Sequence, residues 1–384
     1  MSTLKVDAIR HNSATSDAIT THSDGTASAK IIDVGGGQLS HRNRVINGSM
    51  IINQRSSSYT ATGEEYLLDR FNHRTGSGFT FDTTTTQDTS APDGFTKSLK
   101  ITPDSTQTPS GSHNGMIGHL IEADNLLGFS SGTSSAKSFA LSFYAKSSSQ
   151  NNNHQYSVQI SKVNSGGTYY YQNRSFVVTS SWQRFTVVFP ADTSNNITTG
   201  NGEGLRILWH LSAGPDDIAS AVTSWTSSNG NHAVTGQSNF MDNTSNEFYL
   251  TGVQLEVGDT VTSFEHRSFG DELLRCQRYY QQFEGISDQG ALGFGRSNST
   301  TVAEFNVPLS VPLRASPTLN ACSWAVFTAT NQTNSGSQTP AVRRWRATNN
   351  MLACALSGLS GMTNARTLTV FLNGGDTFKM DAEL

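Results

Sequence analysis

Apolar and polar residues alternate with a period of two along much of this chain, and that pattern limits its folding choices more than any motif. Phe139, Leu141, Phe143 and Ala145 interleave with Ala140, Ser142, Tyr144 and Lys146. Tyr156, Val158 and Ile160 interleave with Ser157, Gln159 and Ser161, and Phe185, Val187, Phe189 and Leu205, Ile207, Trp209, Leu211 repeat the pattern. Successive side chains of a strand point to opposite faces, so each run reads as a strand with one face buried and the other solvated. Turn-rich stretches at 111–115, 147–153 and 164–167 punctuate them. Many short strands with such punctuation predict an all-β chain built on an antiparallel jelly-roll sandwich.

Departures from the alternation mark the joints. In Glu247 to Gly258, Phe248 and Leu250 share one face while Val253, Leu255 and Val257 lie on the other. Gly252 stands at the switch, which predicts a β-bulge or sharp bend. From Phe269 to about Phe283 the period becomes helical. Ser268 three residues before Asp271 forms a capping-box arrangement, and Glu272 adds negative charge where the macrodipole favours it. Leu273, Gln277 and Tyr280 then share a stripe, the candidate oligomerisation surface. Beyond it Ala303, Phe305, Val307 and Leu368, Val370, Leu372 restore the strand pattern. Phe378, Met380, Ala382 and Leu384 form the cleanest half-buried strand, one that a sheet should tie down. The expected organisation is an extended N-terminal arm over 1–43, a jelly roll over 44–268, a short linking helix over 269–284, and a smaller C-terminal β-sandwich domain over 285–384.

The arm has too few apolar residues to fold alone, and Gly35 to Gly37 give it a flexible joint. It reads either as a disordered tail or as a segment that docks on another protein as added strands. Composition agrees with a β-rich oligomer. Only 35% of the 384 residues are hydrophobic and 15% charged, with 34 Gly. Disorder usually pairs low hydrophobicity with high net charge, whereas here Ser, Thr and Asn fill outward positions and turns. So thin an apolar supply favours burial against partner chains.

A net charge of −4 gives no electrostatic footprint for nucleic acid. The one dense basic run, Arg343, Arg344, Trp345 and Arg346, reads as a solvated or interface strand. Cys276, Cys322 and Cys354 are too widely spaced for a disulfide framework or a zinc site, which suits a reducing cytoplasm. Residues 1–10 lack the apolar core of a signal peptide, and no run approaches the roughly 20 apolar residues of a membrane-spanning helix. Membrane insertion is not expected.

Catalytic chemistry is sparse. None of the histidines forms a His-x3-His or His-Glu-x-x-His pair, and no nucleophile elbow or phosphate loop occurs. No catalytic residue, metal ligand or cofactor is expected. Carbohydrate binding has better raw material, because sugars are held by aromatic faces and neutral hydrogen-bonding groups. Trp225, in a polar loop, and Tyr170, within Tyr169 to Tyr171, are the candidate ligand contacts, against core or interface packing as the plainer role. Trp182 and Trp209 lie in strand patterns and read as core.

Two stretches are recognisable. Arg44, Val45, Ile46, Asn47, Gly48, Ser49, Met50, then Gln54, Arg55, Tyr66, Asp69, Arg70 and Phe71, resemble the opening of a jelly-roll module found in bacteriophage tail fibre proteins and similar to carbohydrate-binding modules. Thr251 to Gly258 and Phe264 to Arg267 resemble its end, followed by Glu272, Leu273, Cys276, Gln277, Arg278, Tyr279 and Tyr280. Val307 to Leu309 and Ser316 to Leu319 resemble the strand that opens the C-terminal part. The resemblance implies a non-enzymatic virion protein made in the host cytoplasm: a homotrimer whose residues 1–43 engage other tail or adaptor proteins and whose body contributes to recognition of a host surface glycan. An alternative with the same build is a head fibre or capsid decoration protein; the others are a tailspike glycan depolymerase, which would be an enzyme, and a plain carbohydrate-binding module.

Overall fold

The computed structural model describes residues 6–10, 12, 19–29, 40–56, 58–61, 63–227, 232–285, 291–328, 332–346 and 350–384. The Gly35 to Gly37 joint lies outside them. Two six-stranded antiparallel sheets form the body, as the alternation predicts. In the back sheet the order is Gln183–Phe189, Phe139–Ser147, Phe248–Val257, Ser98–Pro103, Thr83–Asp88, Ser58–Ala61. In the front sheet it is Tyr169–Val177, Gln155–Val163, Glu203–Ala213, Asn114–Glu122, Phe71–Gly76, Glu65–Tyr66. The inward sets predicted from sequence meet between them. Phe139, Leu141 and Phe143 from the back sheet and Val158, Ile160, Ile207 and Trp209 from the front are fully buried, and Phe143 meets the Trp209 ring edge-on at 5.7 Å. Each such side chain contributes roughly 1.5–3 kcal/mol.

The predicted phase slip is a β-bulge. Ser142 pairs with Gln254 but Tyr144 with Thr251, so Phe143 faces two residues, Gly252 and Val253. Gly252 has φ +61°, and a Cβ there would come within 2.8 Å of Phe95 and Tyr144.

The helix differs from expectation. It begins as predicted, with Ser268 Oγ accepting from the Asp271 amide at 3.2 Å, but it spans Phe269–Gln277 only. Tyr280–Glu284 is a strand, paired with Thr377–Asp381. The two adjacent tyrosines suit a strand, and a waiting sheet edge overrides the helical period. Trp209 is core, whereas Trp182 is half-buried on the back sheet's outer face, edge-on to Tyr249 at 6.1 Å.

The C-terminal domain joins a seven-stranded sheet to a three-stranded one, the latter ordered Tyr280–Glu284, Thr377–Asp381, Thr318–Leu319. Phe305, Trp324, Val370, Phe378 and Met380 occupy its core. At the other end of the chain, Ala8–Ile9, Ile19–Thr21 and Ala27–Ala29 make a small antiparallel sheet rather than a simple extended arm. None of its described side chains is buried.

The residues that carry the resemblance converge on the joint between the domains. The Asn47 amide donates to Glu272, and the Asn47 side chain donates to the carbonyls of Ile52 and Asp69, each at 2.9 Å. Arg55 donates to Asp381 at 2.9 Å and Glu383 at 3.0 Å. Arg70 pairs with Glu383, and Arg278 donates to both oxygens of Glu122 at 3.0 Å. The motif is architectural: it ties the segments flanking the first strands to the helix and the last strand.

Candidate functional site

The front sheet's outer face carries the most chemistry outside the cores. Strand alternation that sends Val158, Ile160, Ile207 and Trp209 inward sends Gln159, Ser161, Arg206, Leu208 and His210 outward. Cross-strand register sets Tyr171 beside Ser161 and Met116 beside His210. Together with Arg74, Asn114, Tyr169 and His232 they line a groove of about 370 Å³. Gly118 leaves room for a neighbour to lie across the sheet, since a Cβ there would stand 2.9 Å from Arg74 Cδ.

Both groove arginines have carboxylate partners. Arg206 donates to Glu203 at 2.6 and 3.0 Å, and Arg74 pairs with Glu64 at 3.1 Å. The Arg206 guanidinium lies 4.1 Å from the Tyr169 ring centroid, a cation–π contact that fixes the half-exposed ring. Neutral polar groups make up the floor. His210 Nε2 meets Gln159 Oε1 at 2.9 Å, and burial drives the His210 pKa down to about 3, so the ring is neutral. It stacks on His232 with centroids 5.9 Å apart; burial lowers the His232 pKa too, against the opposing pull of Asp217. With Nε2 as donor, His210 Nδ1 is an acceptor with no partner, as is Asn114 Oδ1, whose amide nitrogen donates to Asp217 at 2.6 Å.

The residues singled out from sequence lie elsewhere. Tyr170 points to the opposite side of its strand, beside Lys162, while its neighbours Tyr169 and Tyr171 line the groove. Trp225 closes one end of the core: its Nε1 donates to the Pro190 carbonyl at 2.8 Å and its ring lies 5.3 Å from Phe139. On the helix, Leu273 packs against the cluster of Ile46, Ile52, Cys276 and Tyr279. Gln277 is half-buried, and its carbonyl accepts from Gln281 at 3.0 Å. Tyr280, off the helix, is 1% exposed with Arg55 3.8 Å over its ring; it has no surface left for a partner chain. Among the described residues no group of three or more His, Cys, Asp or Glu is placed to hold a metal, and no helix is long and apolar enough to cross a membrane.

No family model matches the sequence, and no curated protein does. Solved structures give distant likenesses. The enzymatically active domain of tailspike protein 4 from bacteriophage CBA120 aligns with 56% of this chain at 13% identity and a TM-score of 0.30, and this chain spans 21% of its length. A family 11 carbohydrate-binding module from a cellulosomal cellulase of Clostridium thermocellum aligns with 54% of this chain and 99% of its own, at 14% identity and a TM-score of 0.27. A family 22 carbohydrate-binding module from a Clostridium thermocellum protein aligns with 53% and 96%, at 12% identity and a TM-score of 0.29.

Proposed function

We propose that this chain is a glycan-binding protein that holds an uncharged oligosaccharide in the front-sheet groove. The carrying observation is the groove's chemistry: the Tyr169 face braced by Arg206, set beside neutral polar side chains on an open sheet surface. Aromatic faces suit the apolar faces of sugar rings. On its floor His210 Nδ1 and Asn114 Oδ1 are buried acceptors without a partner. A floor whose spare groups are acceptors offers nothing to a carboxylate or phosphate, which are acceptors themselves. Both groove arginines already face carboxylates, which also favours an uncharged ligand.

The protein is read as binding without turnover, since Glu64 and Glu203 are each held by an arginine. Its setting, on the resemblance around Gln254 to Tyr280, is a trimeric bacteriophage tail fibre. The small N-terminal sheet supports a docking role for residues 1–43, because a sheet that buries none of its described side chains has little to hold it folded alone.

Calorimetric titration with neutral oligosaccharides tests the groove. Binding is expected, and Tyr169→Ala is expected to weaken it at least about tenfold, as loss of a stacked ring and its anchoring should. Binding untouched by Tyr169→Ala and His210→Ala would place the ligand elsewhere. Release of new reducing ends from the same sugars would overturn the reading of binding without turnover. Light scattering tests the trimer, and deletion of residues 1–40 tests docking: the shortened chain should stay soluble yet fail to enter particles.

A further inference from the structure

A second concavity lies between the two domains, and its hydrogen-bonding character is the reverse of the groove's. In Thr377–Asp381, Phe378 and Met380 enter the C-terminal core, which turns Lys379 and Asp381 to the other face of the strand. That face opposes Tyr59 and Tyr66 of the jelly roll across a cleft of about 230 Å³, also lined by Arg55, Tyr280 and Asn320. Arg55, Tyr59 and Lys379 continue into a more open hollow of about 470 Å³.

The cleft's acceptors are engaged. Asp381 accepts from Arg55 at 2.9 Å and from the Glu383 amide at 3.0 Å. Asn320 Oδ1 accepts from the Lys379 amide at 2.6 Å, while its nitrogen donates to the Thr377 carbonyl at 2.8 Å. Tyr66 donates to the Leu384 carbonyl at 3.0 Å, and Tyr280 donates to Gln282 at 2.9 Å. In the inner cleft the charged groups left over are donors, while the outer hollow adds the Glu65 carboxylate beside Tyr59. Arg55 Nε is buried without a partner, and Lys379, exposed at the cleft's mouth, makes no ion pair among the described residues. Arg55 is held in place with its guanidinium 3.8 Å over the Tyr280 ring.

We infer that this interdomain cleft is a second binding site, for a saccharide that carries a carboxylate, with the carboxylate on Lys379 and the ring against Tyr59. Drug-sized ligands need roughly 300–1,000 Å³, so the inner cleft suits a single sugar ring whose chain leads into the outer hollow. The assignment does not depend on what the groove binds.

Titration of the full chain carrying Tyr169→Ala, which weakens the groove, reports on the cleft, and comparison with the same chain carrying Lys379→Gln separates the two. The probes are digalacturonate and the neutral disaccharide lactose. Digalacturonate is expected to bind and lactose to bind at least about tenfold more weakly, the worth of one charge-assisted hydrogen bond. Lys379→Gln, at an exposed position, should erase that preference without moving the unfolding temperature. Equal affinity for the two sugars, no digalacturonate binding at millimolar concentration, or a preference that survives Lys379→Gln each overturns the proposal. Failure of the chain with Tyr169 intact to bind neutral sugars in its groove, with the cleft preference kept, would refute only the groove.

Discussion

The Arg70 guanidinium lies 3.5 Å from the ring centroid of Tyr279 and pairs with Glu383, joining the turn before Phe71–Gly76 to residues near Leu384. Arg70 and the Glu383 side chain are 1% and 4% exposed, so neither charge has water to fall back on. Removing one partner of a buried pair costs about 3–5 kcal/mol; Glu383 keeps Arg55 at 3.0 Å when Arg70 is lost, which places Arg70→Met at the low end, about 3 kcal/mol. Arg70→Met is therefore expected to lower the unfolding free energy measured in urea by that amount, and adding Glu383→Gln to recover part of it. A double-mutant cycle measures the coupling. Near-additive losses would mean that the two residues do not act as a pair.

Gly252 offers a test of the bulge. At φ +61° a side chain pays roughly 1–2 kcal/mol of left-handed strain, and a Cβ would crowd Phe95 and Tyr144 at 2.8 Å. Gly252→Ala should destabilise the body by about 2–3 kcal/mol in chemical denaturation. An unchanged midpoint would show that this strand has another way to shift its register.

These two positions differ in how far the sequence announces them. Gly252 was legible, because a glycine at a phase slip has one economical explanation. The inward sets around Phe139, Tyr156 and Leu205 were legible for the same local reason, a period that survives in the fold. The end of the helix was not. Tyr280 obeys the helical stripe in sequence, but its partner strand Thr377–Asp381 lies far along the chain, and no local pattern reveals that competition. The groove was half legible. An outward tyrosine on an otherwise polar strand face is a signal, and Tyr169 and Tyr171 carry it, yet choosing Tyr170 required the register by one residue. His232 arrives from a loop, and nothing in its neighbourhood foretells that it stacks on His210.

Buried histidines give the fold a pH dependence of definite sign. Burial holds His210 at a pKa of about 3, and burial likewise keeps His119 and His73 below the usual value. In the unfolded chain each takes a proton near pH 6.5. Below that pH the unfolded state binds more protons, so stability falls as pH drops. For His210 the loss is about 1.4 kcal/mol per pH unit, and it levels off only near pH 3. Between pH 7.5 and 5 the denaturation midpoint is expected to fall steeply, before most carboxylates titrate. His210→Gln should flatten that slope. A midpoint indifferent to pH in this window would mean that the histidines are open to water.

Trp225 and Tyr169 separate packing from recognition. Sequence reasoning offered Trp225 as a sugar platform, but its ring abuts Phe139 at 5.3 Å, has the Lys162 ammonium 5.0 Å from its centroid, and hands its one donor to Pro190. A tryptophan placed in this way stabilises the fold. Trp225→Ala should cost about 2–3 kcal/mol, somewhat less than a fully buried ring because Trp225 is only partly covered, and leave groove affinity unchanged at temperatures where the chain is folded. Tyr169→Ala, at a half-exposed ring, should do the opposite. Measuring unfolding and oligosaccharide affinity on both variants gives four numbers, and the crossed pattern is the expected one. If Trp225→Ala instead abolished binding in a chain of undiminished stability, the ligand site would have to move from the front sheet to the loop that carries this tryptophan.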